Sequence, residues 1–207
     1  KKLNLTNNTI TVGWFLLISG IIFILSFIFL ALMFSTRKST WGPLNDVSYV
    51  IALLLIIPFF IGSTNNLKST NYAATLLATV LGVAGILIIT ITQLRLVFKK
   101  IDFELNLRQG AFGSGLLGLG FILLHLLFFN LTLFPTSLLW LGLISGILMT
   151  MGIPTSLFYG KEEMKMTTGK LDWKKTSKLA IAIVLSTFIG QIGLIAWVFG
   201  VGVKLIN

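Results

Sequence analysis

Cysteine is missing from all 207 residues, histidine occurs once, and Asp and Glu together number only 6. The first absence excludes disulfides, thiolate metal sites and thiol nucleophiles. The other two leave little material for acid–base chemistry or for a carboxylate- or imidazole-ligated metal, so neither a metal nor a cofactor is expected. Charge as a whole is scarce, at 11% of residues against roughly a quarter in a soluble domain. A water-soluble globule is excluded on that ground. Present instead are 56% hydrophobic residues and 20 glycines, with a mean hydropathy of +0.97, and the apolar residues are gathered in long runs.

A spanning helix needs ~20 mostly apolar residues. Six segments qualify, about Thr11 to Phe34, Val47 to Ser63, Tyr72 to Phe98, Ala111 to Phe134, Thr136 to Tyr159, and Leu179 to Val203. Polar spacers separate them at Ser35 to Asp46, Thr64 to Asn71, Lys99 to Gly110 and Gly160 to Lys178. Pro135 alone divides the fourth from the fifth, because its ring disfavours helix for Phe134. The fold class expected is all-α, a single integral membrane domain of six transmembrane helices spanning 1–207. The chain opens at Lys1 rather than Met, which leaves room for a preceding start or targeting segment. The first apolar run is itself too long for a signal-peptide core of ~7–15 residues.

The formal net charge of +10 comes from 16 Lys and Arg. In a soluble chain that excess would suggest nucleic acid; between apolar runs it is a topology signal and an attraction to anionic headgroups. Twelve of the 16 cations, and all 6 carboxylates, fall in the first, third and fifth loops. Lys and Arg are retained on the cytoplasmic side, so both termini are expected outside, in a prokaryotic plasma membrane. Trp and Tyr favour the headgroup level, and Trp14, Trp140, Trp197 and Tyr72 are expected as outer anchors, with Tyr49, Tyr159, Trp41 and Trp173 as inner ones.

Within the loops, Trp41-Gly42-Pro43-Leu44-Asn45-Asp46 reads as a Gly-Pro turn with Asp46 as the N-cap of the second helix. Ile101, Phe103, Leu105 and Leu107 alternate with polar residues, which suits a short strand or a segment on the membrane surface. The fifth loop, Lys161 to Lys178, sets Met164, Met166, Leu171 and Trp173 among its cations and is expected to rest on anionic lipid.

Small residues let helices approach closely in lipid. Gly110, Ser114 and Gly118 repeat every four residues in the fourth helix, and Gly142, Gly146 and Thr150 do so in the fifth, so the two faces are expected to meet across the Pro135 hairpin. Charged side chains within the membrane mark ion paths and substrate sites, and none lies mid-helix here, which disfavours a carboxylate-based proton pump and a retinal Schiff base. His125 is the exception among ionisable groups. It follows Gly118 by seven residues and so faces other helices. Counted from its helix start it lies at ~21 Å, against ~18 Å for Gln191, with Ser19 near the same depth. A polar layer of His125, Gln191 and Ser19 would be a small-ligand site or a gate; the plain alternative is an interhelical hydrogen bond. Pro58 and Pro154 break their helices at unmatched depths, against an inverted repeat.

The Trp41 to Asp46 entry into a Leu-rich, Pro-containing second helix, and Pro135 followed by Trp140-Leu141-Gly142-Leu143, Gly146 and Gly152-Ile153-Pro154, carry a resemblance. In these motifs the chain resembles uncharacterised six-helix multi-pass membrane proteins of bacteria and archaea, which implies a six-helix bundle and no particular activity. Three function classes follow. The first expectation is a non-enzymatic accessory or structural subunit packing against another membrane protein or a second copy of itself. The alternative is a small-molecule binding or transport protein, similar in size and helix count to the six-helix substrate-binding components of vitamin transporters. The third is a membrane-embedded lipid-modifying enzyme. It lacks the clustered His, Arg or Asp it would need, since Ser114 and His125 share one helix and Ser145 has no second His.

Overall fold

The computed structural model describes residues 7–38, 40–131, 134–158, 166–167, 170–171 and 178–207. Among them the helices are α1 (Asn7–Thr36), α2 (Trp41–Leu54), α3 (Ile57–Val97), α4 (Phe103–Phe129), α5 (Thr136–Thr150), α6 (Gly152–Phe158) and α7 (Lys178–Ile206). Two two-residue strands, β1 (Met166–Thr167) and β2 (Lys170–Leu171), pair antiparallel in the last connection. Among the described residues six stretches are long and apolar enough to cross a membrane: Thr9–Thr36, Trp41–Leu67, Asn71–Val97, Phe103–Phe129, Thr136–Leu157 and Ile181–Ile206. The chain is an all-α, six-helix bundle and a multi-pass membrane protein.

The fourth helix ends at Phe129, five residues short of the expected Phe134, with Asn130 as its C-cap. Three other departures from the sequence reading each have a local cause. Asp46 is not an N-cap. The helix begins five residues earlier, at Trp41, because Pro43 falls in the first turn, where its missing N–H has no partner to lose. The alternating segment from Ile101 is neither strand nor surface segment but the first turns of α4. Asp102, in an extended conformation (φ −79°, ψ 170°), accepts a 2.7 Å hydrogen bond from the Leu105 backbone N–H and starts the helix. Most of the Thr64 to Asn71 spacer is also helical. The second span runs to Leu67, and the chain reverses at Asn71, whose backbone leaves the helical region (φ −161°, ψ 90°). Asn71 Oδ1 then accepts from the Ala74 N–H at 3.1 Å, capping the third span. The prolines break spans without ending them, between Leu54 and Ile57 before Pro58 and at Met151 before Pro154.

Asp102→Ala removes a cap that is also a negative charge at the positive end of a helix. The expected result is a loss of ~1 kcal/mol in unfolding free energy, read by thermal unfolding in detergent, with Asp102→Asn close to wild type. Equal losses for both variants would assign the effect to charge and not to the cap.

The main interfaces pair α3 with α4, α1 with α7, α4 with α5, α5 with α7 and α1 with α2, whereas α4 and α7 meet mainly through large side chains and not through close backbones. Glycine lets the α3–α4 seam close. A Cβ at Gly85 would lie 2.5 Å from the Gly113 carbonyl oxygen, and one at Gly120 would lie 2.7 Å from the Ala78 carbonyl oxygen. Lipid contact falls to the outward faces, where Ile18, Ile21, Ile24, Leu25 and Ile28 of α1 are all exposed.

The core is aromatic. Phe59 and Phe60 of α3, Phe121 and Phe128 of α4, and Trp197 of α7 pack with ring centroids 4.9 to 6.0 Å apart, mostly edge to face. Trp197 is 0% exposed. It is therefore no interfacial anchor, because α7 turns it into this cluster. Trp14, Trp140 and Tyr72 are exposed, Trp41 stacks on Phe29, and Tyr49 packs edge-on against Phe23. Tyr159 and Trp173, with Met164 and most of the basic fifth loop, lie outside the described residues.

Candidate functional site

His125, Gln191 and Ser19 occupy three separate places. His125 is 0% exposed and sits in the aromatic core. Its Nδ1 lies 2.7 Å from the Phe121 carbonyl oxygen, which can only accept, so Nδ1 carries the proton. The imidazole stacks on Phe121 at 5.3 Å and meets the edges of Phe128 at 5.9 Å and Trp197 at 5.0 Å. Nε2 has no protein partner; what faces it is Gly142 of α5, where a Cβ would fall on the ring. Ser19 Oγ donates to the Ala52 carbonyl at 2.8 Å and ties α1 to α2. Gln191 Nε2 donates to Ser114 Oγ at 3.3 Å, the one side-chain hydrogen bond described between α7 and α4.

The polar layer does not assemble because α4 starts eight residues before the sequence reading placed it. Counted from Phe103, His125 is ~33 Å along its helix; counted from Lys178, Gln191 is ~20 Å along its own, level with Ser114 at ~17 Å. Of the small residues, Gly118 and Gly146 do meet, each Cβ position lying within 2.9 Å of the other's carbonyl oxygen. Gly142 admits the His125 ring. Gly110 faces away from α5, and its nearest neighbour beyond its own helix is Thr92 Oγ1, 3.9 Å from a Cβ there.

Gln191 and Gly110 instead border a cavity of about 230 Å³. It lies in the half of the bundle next to the basic loops, where α1 and α7 diverge from α3 and α4. Its walls come from Ser26 and Phe27 of α1, Asn45 and Tyr49 of α2, Ile89 and Gln93 of α3, Asn106, Gly110 and Ala111 of α4, Thr155 of α6, and Thr187, Phe188 and Gln191 of α7. Each lining residue belongs to the basic-side half of its span, which is why six helices converge on one space.

The walls are mostly apolar, with Phe27, Leu30, Ile89, Leu107, Ala111, Val184 and Phe188 among them. Four carboxamides, Asn45, Gln93, Asn106 and Gln191, and the hydroxyls of Ser26, Tyr49, Thr155 and Thr187 supply the polarity. Part of this is spent internally. Ser26 Oγ lies 2.8 Å from Asn45 Oδ1, Asn45 Nδ2 donates to Asp46 at 3.0 Å, and Thr155 Oγ1 donates to the Met151 carbonyl at 2.7 Å. Two acceptors remain. Gln93 Oε1 and Asn106 Oδ1 are buried with no protein partner. An unsatisfied buried acceptor costs ~1–3 kcal/mol, so native structures rarely leave one without a water or a ligand.

Asn45, Gln93 and Asn106 were not among the residues the sequence singled out. The signal was present but misplaced. Asn45 was read as part of a turn and Asn106 as part of a loop, and only the early starts of α2 and α4 bring them inside the bundle.

Searches settle no family for this site. Compared with protein-family models, with curated proteins and with solved structures, the chain matches none. The resemblance carried by the Pro135 and Gly152-Ile153-Pro154 motifs therefore adds nothing to the cavity, and function is argued from the side chains alone.

Proposed function

We propose that this chain is a non-enzymatic membrane protein that binds a small, uncharged, polar molecule in the cavity on its basic side, as a receptor or a transport component. What supports the reading is the group of carboxamides, Asn45, Gln93, Asn106 and Gln191, in a wall that also holds Thr187 and Ser26. Carboxamides both donate and accept, so the ligand is one that forms hydrogen bonds. Apart from the Tyr49 phenol no ionisable side chain among the described residues lines the space, and burying a charge without a counter-charge is costly, so the ligand is neutral. A volume of about 230 Å³ falls below the ~300–1,000 Å³ of drug-sized sites and limits it to a small molecule. The same walls place no base beside Ser26 or Thr187, which favours binding over chemistry.

An accessory subunit, the first expectation from the sequence, rests on the charge-free interior and the glycine faces. The cavity favours ligand binding over it, and no feature among the described residues favours a protein partner over lipid on the apolar faces.

Thermal unfolding of the purified chain with neutral donors such as glycerol, urea and nicotinamide tests the proposal. At least one should stabilise the protein in a saturable way, by up to ~2.7 kcal/mol at one hundred times its Kd. Gln93→Leu and Asn106→Leu should each weaken that ligand tenfold or more while raising stability without it. Absence of any saturable shift, or equal shifts in wild type and both variants, would overturn the reading.

A further inference from the structure

A second recess lies on the other side of the first turns of α4, opening to the outside of the bundle. It has about 490 Å³ between Ile88, Ile91 and Thr92 of α3 and Leu105, Arg108, Gln109 and Phe112 of α4, with Ser156 and Leu157 of α6 at its end. Its walls are apolar and face lipid, with Ile91 55%, Phe112 40% and Leu157 57% exposed. Its rim is cationic. Arg108 Nε donates to the Ser156 carbonyl at 2.9 Å, across to α6. That bond fixes the plane of the guanidinium at the mouth of the groove. Among the described residues no carboxylate is paired with it, so the terminal nitrogens keep their donors for another group. Gln109, on the same wall, has a buried Oε1 with no protein partner.

We infer that this groove is a specific site for one anionic phospholipid, with an acyl chain along Ile88, Ile91, Phe112 and Leu157 and the headgroup phosphate on Arg108. Charge complementarity and the surroundings both select that occupant. A planar guanidinium binds phosphate through parallel N–H bonds. The groove starts at the basic end of the span, where Arg108 reaches headgroup level, and descends along the hydrocarbon-facing sides of α3 and α4. A soluble peptide has no access to those walls, and a zwitterionic lipid would bring its own cation to a rim that already holds one.

Native mass spectrometry of the intact chain released from detergent, after titration with phosphatidylglycerol or phosphatidylcholine, tests this. Wild type should retain one phosphatidylglycerol with at least tenfold preference over phosphatidylcholine, and Arg108→Gln should lose that preference. Ile91→Trp, which fills the apolar part and leaves Arg108 in place, should weaken the lipid while sparing the fold. Lys99→Gln/Lys100→Gln, which lowers nearby surface charge outside the groove, should leave the one-lipid complex unchanged. Four outcomes would overturn the site: equal retention of both lipids, an Arg108→Gln variant that behaves as wild type, a double lysine variant that loses as much as Arg108→Gln, or inorganic phosphate alone competing the lipid off completely. None of these bears on the neutral-ligand cavity, which lies on the opposite face of α4.

Discussion

Gly142→Ala is expected to destabilise the bundle more than any other single-methyl addition in α5. The new Cβ would fall on the His125 imidazole, and the ring cannot swing aside. Phe121 covers one face, Phe128 and Trp197 close its edges, and Nδ1 is tied to the Phe121 carbonyl. Overpacking a tight core costs ~1–3 kcal/mol, and an aromatic surround of this kind belongs at the upper end. The check is a double-mutant cycle. His125→Ala alone opens a hole and is destabilising by itself, but in the Gly142→Ala background the same truncation removes the collision. The double variant should therefore be more stable than the sum of the two losses, by a coupling within the ~0.5–3 kcal/mol seen for residues in contact. Strict additivity in SDS or thermal unfolding would show that the ring moves freely and that Gly142 has another role.

Gly120→Ala is the second large effect, and its cause is harder to relieve. A Cβ there lies 2.7 Å from the Ala78 carbonyl oxygen and 2.7 Å from the Gly82 nitrogen. Both are backbone atoms, so no rotamer can make room and the α3–α4 seam must part. A loss of ~1–3 kcal/mol is expected from the methyl, together with reduced folded yield, because this is the most extensive helix pair in the molecule. Gly110→Ala provides the contrast on the same helix. Its Cβ meets nothing closer than 3.9 Å, and replacing a helical glycine by alanine gains ~0.5–1 kcal/mol. If the two variants shifted the unfolding midpoint alike, close approach would not be what requires glycine at position 120.

The number of spans was legible because hydropathy over ~20 residues is set by the bilayer and not by neighbouring helices. Boundaries were less so. Polar residues at Asn45, Asp46, Asn71 and Asn106 look like loop from composition, yet three of them lie within helices and the fourth caps one. The cost of that error was the site. Placing α4 eight residues late moved His125 down to the level of Gln191 on paper, and left Asn106 outside the membrane. Only Gln191 of the three suspected polar residues lines the cavity, and the partner it takes, Ser114, had been assigned to helix packing. Gly113 and Gly120 were overlooked for a different reason. The four-residue rhythm of Gly110, Ser114 and Gly118 drew attention to one face of α4, whereas α3 closes on another, and a single sequence carries no sign of which glycine face meets which helix. The burial of Trp197 could not be read either, since an anchoring indole and a core indole have the same residue type at the same distance from a helix end.

The placement of the aromatic rings has a kinetic meaning for any solute. Phe59, Phe60, Phe121, His125, Phe128 and Trp197 fill the bundle axis on the side away from the basic loops, while the amide-lined cavity lies on the near side. For a solute bound as proposed, the ring stack lies across the far end of the cavity. Passage of such a solute along the bundle axis would require the rings on α3, α4 and α7 to come apart together. A receptor needs no such event, and a carrier would have it as its slowest step, so turnover in a carrier would rise when the ring stack is loosened even as the fold weakens.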